Sequence, residues 1–180
     1  MKNEDKKPKE SEKFTTFSVP YSIGIGRDNL ITNTKTQSRE SIINQAIKFH
    51  SEGNISKAAK YYQALIDQGL NNFNVFINYG AIQRQIGKFE EAALLTRKAI
   101  SIKPDSASAH LNLGSIYRNL NKSREAELSI KKAIKLKPNF AEAYLNLGNI
   151  FSDLDKAYEA ELSYSKAIKL NPNFIDANLQ

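Results

Sequence analysis

Four asparagines recur at one spacing: Asn44, Asn78, Asn112 and Asn146 stand 34 residues apart. A carboxamide carries an acceptor oxygen and two donor hydrogens. A row of them can therefore pair with the N–H and C=O of another backbone, whatever its side chains. Six residues after each stand His50, Arg84, Arg118 and Ser152, a partly basic series able to meet acidic side chains or phosphates. A plainly solvated face would look the same. Asn119 and Asn149, seven and three residues beyond an asparagine of the series, fall on the same side of a helix.

Catalytic chemistry finds little to work with. The chain has no cysteine and two histidines, so it lacks a thiolate nucleophile, a disulfide and a metal-ligand cluster. His50 has no acid or nucleophile at a matching place, and His110 reads as a packing residue at the edge of the core. Ile23-Gly24-Ile25-Gly26 is glycine-rich but lacks the third glycine and the strand–helix setting of a phosphate loop. No cofactor and no enzymatic activity are expected within these residues.

The elements that must position the asparagines share their period. Pro104, Pro138 and Pro172 fall 34 apart, as do Gly80, Gly114 and Gly148, with Ala46 in the earlier place. Ala58, Ala92, Ala126 and Ala160 form another series, and Ala99, Ala133 and Ala167 a third, preceded by Leu65. Several independent series with one spacing define repeats. Four are counted from Arg39: 39–72, 73–106, 107–140 and 141–174, followed by the start of a fifth over 175–180. Residues 1–38 read as a mostly disordered leader.

Inside a repeat the apolar pattern is helical. Tyr144, Leu147, Gly148 and Phe151 lie at i, i+3, i+4 and i+7, and Ala160, Tyr164 and Ala167 repeat the spacing in a second helix. Gly53, Gly87, Asn121 and Asp155, one per repeat, stand between the two helices and tolerate the positive φ of a tight turn. The prolines stop each later second helix. The small residues let helices approach closely while aromatic and leucine side chains fill the grooves beside them. One helix pair cannot bury its apolar face alone, so the pairs must stack.

This pattern resembles the tetratricopeptide repeat (TPR) over 39–174. The small residues Ala46, Gly80, Gly114 and Gly148 and the two alanine series of the second helices carry the resemblance. So do the aromatics Phe49, Tyr117 and Phe151, where Gln83 departs; Leu70 replaces the terminal proline in the first repeat. The resemblance implies an all-α solenoid, a right-handed superhelix whose first helices line a concave face. Asn44, Asn78, Asn112, Asn146, Asn149, Asn119, Arg84, Arg118 and His50 would then face a groove that binds a protein or peptide. Rungs roughly 10 Å apart match about three residues of extended chain. An asparagine ladder of this kind is similar to that in the TPR arm of O-linked N-acetylglucosamine transferases and SPINDLY-like proteins, where it holds polypeptide by its backbone. The same asparagines could instead bond neighbouring helices, so both roles stand open here. Neither the second nor the fifth repeat position supplies the lysine of a carboxylate clamp.

Charge adds exclusions. Lys+Arg number 26 and Asp+Glu 19, a formal net charge of +7. Much of the basic excess lies late in second helices (Lys98, Lys132, Lys135, Lys166, Lys169), with glutamates early in the same helices, as the helix dipole favours. Nucleic-acid binding wants basic residues with interleaved aromatics in the groove, and none is expected. No apolar run approaches the roughly 20 residues of a membrane-spanning helix. The missing cysteines and the lack of an apolar leader point to the cytoplasm.

Two segments carry expectations of their own. Residues 14–31 hold Phe14, Phe17, Val19, Pro20, Tyr21 and Ile23 and could dock on a repeat face. Ile175 to Gln180 begins a fifth first-helix without completing it, so the fourth repeat lacks a polar capping helix. The chain then reads as part of a longer protein, such as the substrate-recruiting arm of a glycosyl-, sulfo- or methyltransferase. Failing that, it reads as a scaffold forming homo-oligomers through its uncapped end.

Overall fold

A computed structural model describes residues 34–174. Residues 14–31, the Ile23–Gly26 stretch and residues 175–180 lie outside the described residues. Among those described, every regular element is helical. Four helix pairs follow one another: α1 (Thr34–Ser51) with α2 (Ile55–Asp67), α3 (Phe73–Gln85) with α4 (Phe89–Ile102), α5 (Ala107–Asn119) with α6 (Ser123–Leu136), and α7 (Ala141–Asp153) with α8 (Ala157–Leu170). A short 3₁₀ turn (Pro172–Phe174) follows α8. Helix α1 begins at Thr34, upstream of Arg39 where the 34-residue register starts.

Local chemistry sets the ends of these helices. Each first helix stops at a residue with positive φ: Gly53 (74°), Gly87 (80°), Asn121 (56°) and Asp155 (56°). The next amide then reaches back five residues, from Asn54 to the Phe49 carbonyl, Lys88 to Gln83, Lys122 to Tyr117 and Lys156 to Phe151. That is a Schellman closure, which satisfies carbonyls the helix leaves open. The later second helices end at Ile102, Leu136 and Leu170, two residues before the prolines. Where Leu70 replaces proline, Gly69 (φ 75°) supplies the stop instead, and the Leu70 amide bonds the Leu65 carbonyl at 3.0 Å. Asn54, Asn72 and Ser106 cap α2, α3 and α5 through their side-chain oxygens, each cap worth about 1 kcal/mol.

The periodic small residues sit where helices meet. Ala58, Ala92, Ala126, Ala99, Ala133 and Ala167 are fully buried. A Cβ built on Gly114 would lie 2.5 Å from Ile130 Cδ1, and one on Gly148 would lie 2.5 Å from Tyr164 Cε1. These glycines are required by approach distance, since both lie inside helices. Apolar side chains then run in clusters along the stack, from Tyr62, Leu65 and Phe76 at one end to Phe140, Leu147 and Ile150 at the other.

Candidate functional site

Inner and outer walls follow from which helices touch. Each second helix packs on the next first helix, and first helices of successive pairs also meet, α3 with α5 and α5 with α7. No comparable contact joins successive second helices. The stack is therefore tighter on the side of α3, α5 and α7, its inner wall, and α1 belongs to that series by its place in the repeat. Asn44 on α1 is exposed, and Asn78, Asn112 and Asn146 on α3, α5 and α7 are half-buried.

The four asparagines differ in what already holds them. Asn146 is bound twice within the chain: its Nδ2 donates to the Glu142 carbonyl at 2.8 Å, and its Oδ1 accepts from Ser115 Oγ at 3.0 Å. The second bond ties α5 to α7. Asn78 lies beside the buried hydroxyl of Tyr62, close enough to ease its ionisation but without a well-aligned hydrogen bond. Among the described residues, no hydrogen bond engages the side chains of Asn44 or Asn112. Of the other predicted residues, Asn149 accepts from Tyr164 Oη at 2.9 Å, and Asn119 is exposed at the end of α5. Arg84 is half-buried and interacts within the chain.

Arg118 is stapled to the next first helix. Its Nη2 donates to Asp153 Oδ1 at 3.0 Å, while its Nε donates to Oδ2 of the same carboxylate. This fork is the strong geometry for an arginine–carboxylate pair. The bond to Arg118 lowers the pKa of Asp153, and the same bond raises that of Arg118. The last two rungs are thus bridged by Ser115–Asn146 and by Arg118–Asp153. A ligand there meets side chains with fewer unused donors, and sequence reading missed Asp153 and Ser115 as their partners.

His50 is half-buried, its ring 6.2 Å from that of Tyr62 in an edge-on arrangement. Burial lowers its pKa. Tyr62 is fully buried, and its hydroxyl has no hydrogen-bond partner; burial pushes its pKa up to about 12. Gln83, in the place of an aromatic, is also buried, and its Oε1 is unpartnered. His110 is partly buried at the start of α5. Its Nε2 lies 3.0 Å from the Pro104 carbonyl, so that nitrogen carries the hydrogen. No group of histidine, aspartate and glutamate residues able to hold a metal occurs among the described residues. No helix there is long and apolar enough to cross a membrane.

Comparison with known proteins agrees with this architecture. Tetratricopeptide repeat models match residues 107–140 and 141–174, and a TPR repeat model matches 80–121. Together they run unbroken from 80 to 174, more than half of the chain. The chain belongs to the tetratricopeptide repeat family. No curated protein sequence matches it. Among solved structures, this TPR chain is similar to a MamA crystal structure at 26% identity, covering 73% of this chain and 77% of that one, with a TM-score of 0.68. MamA from Desulfovibrio magneticus RS-1 matches at 19% identity over 77% and 78%, TM-score 0.72. YrrB, described as a TPR protein with an unusual peptide-binding site, matches at 16% identity over 78% and 72%, TM-score 0.72. At these identities the last two likenesses speak for the fold.

Proposed function

We propose that this TPR chain is a protein–protein interaction module that holds an extended segment of a partner against its inner wall. In this reading the carboxamides of Asn44, Asn78 and Asn112 pair with the segment's backbone. Asn146, Asn149 and Arg118 act chiefly as the framework that keeps the later rungs in register, with Asn119, Arg84 and His50 at the rim. The carrying observation is that asparagine recurs at one place on four successive first helices, while the side chains of Asn44 and Asn112 make no hydrogen bond among the described residues. Asn112 is half-buried, and a carboxamide shielded from water without a partner costs stability, which favours an outside partner there; the exposed Asn44 offers its carboxamide directly to one. The peptide-binding site attributed to YrrB supports the same use of the fold. The module is non-catalytic in this reading, and its cysteine-free composition suits the cytoplasm.

Selection from an array of random decapeptides, followed by titration of the best binder, tests the proposal. Asn44→Ala with Asn112→Ala removes two charge-neutral hydrogen-bonding positions worth about 1 kcal/mol each. Affinity is expected to fall by roughly tenfold or more, with the melting temperature unchanged. Undiminished affinity in the double variant would overturn the backbone-pairing role.

A further inference from the structure

The outer face carries a periodic pattern unrelated to the groove. On α4, α6 and α8 the sequence repeats Glu-x-x-Leu-x-x-x-Lys: Glu91/Leu94/Lys98, Glu125/Leu128/Lys132 and Glu159/Leu162/Lys166. Spacings of i, i+3 and i+7 place each triplet on one helical face. All nine residues are exposed, and the leucines are 47%, 62% and 54% accessible. A single exposed leucine needs no explanation, but three at one place in successive second helices form an apolar row, one leucine per helix pair. An acidic row flanks it on one side and a basic row on the other. The equivalent places on α2 are Lys57, Lys60 and Ala64, so the face begins at the second helix pair. Two members have weak local contacts: Glu91 meets Lys88 at 3.4 Å with both side chains over half exposed, and the Lys98 ammonium lies 5.7 Å from the Phe76 ring.

We propose that this face is self-complementary and joins two copies of the chain through a two-fold axis lying along the leucine row. Such a rotation reverses the helix direction across the contact, setting Leu94, Leu128 and Leu162 against their own counterparts. At about 1.5 Å rise per residue, each glutamate lies ~4.5 Å to one side of its leucine and each lysine ~6 Å to the other. After rotation, every glutamate therefore lands within roughly 1.5 Å, along the helix, of a lysine of the second copy. Each rung that meets its counterpart then gives two opposed charge pairs around an apolar centre, the isologous pattern of a cyclic dimer. The charge order selects this occupant. A nucleic acid or an anionic membrane would meet the acidic row as well as the basic one. A second copy meets opposite charge on both sides.

Sedimentation of the whole chain, from micromolar to millimolar concentration at low and high salt, provides the test. The wild type should form dimers that weaken as salt rises, because exposed charge pairs are screened. Two charge variants should each be monomeric alone: Lys98→Glu/Lys132→Glu/Lys166→Glu, and Glu91→Lys/Glu125→Lys/Glu159→Lys. Mixed, they should form a heterodimer, since one face is then acidic throughout and the other basic. Leu128→Gln, at the most exposed of the three leucines, should weaken the dimer by about tenfold while leaving helical content and peptide binding in the groove intact. A wild type that stays monomeric to the millimolar range would overturn the proposal. So would either charge variant dimerising alone as the wild type does, or a mixture that fails to pair while both variants remain helical.

Discussion

Three glycines at one repeat position face three different neighbours, so substituting alanine at each isolates packing from helix propensity. Glycine inside a helix is less favourable than alanine by about 1 kcal/mol, a gain common to all three. At Gly114 the new Cβ would lie 2.5 Å from Ile130 Cδ1, 2.6 Å from its Cγ1 and 3.2 Å from the Ala126 carbonyl. Ile130 is fully buried and β-branched, so it cannot swing clear. Overpacking of this kind costs about 1–3 kcal/mol, leaving Gly114→Ala a net loss of up to about 2 kcal/mol. At Gly148 the obstacle is the half-buried Tyr164 ring, with Cε1 at 2.5 Å and Cζ at 3.0 Å. That ring can tilt, at the expense of its bond to Asn149, so the loss should be smaller. At Gly80 the closest atoms are Thr96 Oγ1 at 3.1 Å and the Ala92 carbonyl at 3.4 Å. A few tenths of an ångström suffice there, and Gly80→Ala should be neutral or stabilising by up to about 0.5 kcal/mol. Urea unfolding followed by circular dichroism measures the series. The predicted order of stability is Gly80→Ala, then Gly148→Ala, then Gly114→Ala. A Gly80→Ala loss equal to that of Gly114→Ala would refute the packing argument.

Tyr62→Phe keeps the buried ring and removes a hydroxyl with no partner, so it should stabilise the fold by about 1 kcal/mol at neutral pH; equilibrium unfolding checks this. Tyr62 ionises near pH 10 when unfolded and at about 12 when folded. The protonated phenol's share of stability is thus present below pH 10 and lost as pH rises toward 12. The advantage of Tyr62→Phe should accordingly widen above pH 10 in melting curves. A double-mutant cycle of Arg118→Ala and Asp153→Ala should give a coupling of about 0.5–1 kcal/mol that shrinks with salt, as both side chains are partly exposed. The lowered pKa of Asp153 means this coupling is full above the ordinary carboxylate range and is lost as pH falls below it, through the lowered pKa of the folded state. Asn146→Ala removes two bonds and should cost about 1–2 kcal/mol, whereas Asn112→Ala should cost almost nothing in thermal melts.

The readable parts of the fold were those set locally. A positive φ at Gly53, Gly87, Asn121 and Asp155 is a property of residue type and turn, and a proline stop acts within a few residues. Both survive translation into structure unchanged. The close approach at Gly114 and Gly148 was legible because the same small residue recurs where helices must touch. The fate of the groove residues was less legible. Asn146 is bound by Ser115 and Arg118 by Asp153, 31 and 35 residues away. Such bonds depend on the register between stacked helices, to which helical periodicity is blind. The clue was present in the repeat alignment, where a serine or arginine on one first helix faces an asparagine or aspartate one rung later. Gln83 was read as a departure from an aromatic place. That departure leaves a buried oxygen unpartnered, a consequence visible only once its neighbours are known. The outer Glu-x-x-Leu-x-x-x-Lys rows were equally periodic, yet only exposure marks them as a face.

The claim that the inner wall grips a backbone is tested most directly by side-chain amide NMR. The carboxamide NH₂ signals of Asn44, Asn78, Asn112 and Asn146 can be assigned through single substitutions and followed during titration with an array-selected decapeptide. The account predicts that Asn44, Asn78 and Asn112 shift together on binding, that Asn146 shifts least, and that residues on the outer helices stay still. Shifts confined to α4, α6 and α8, with the asparagine signals unmoved at saturation, would contradict it.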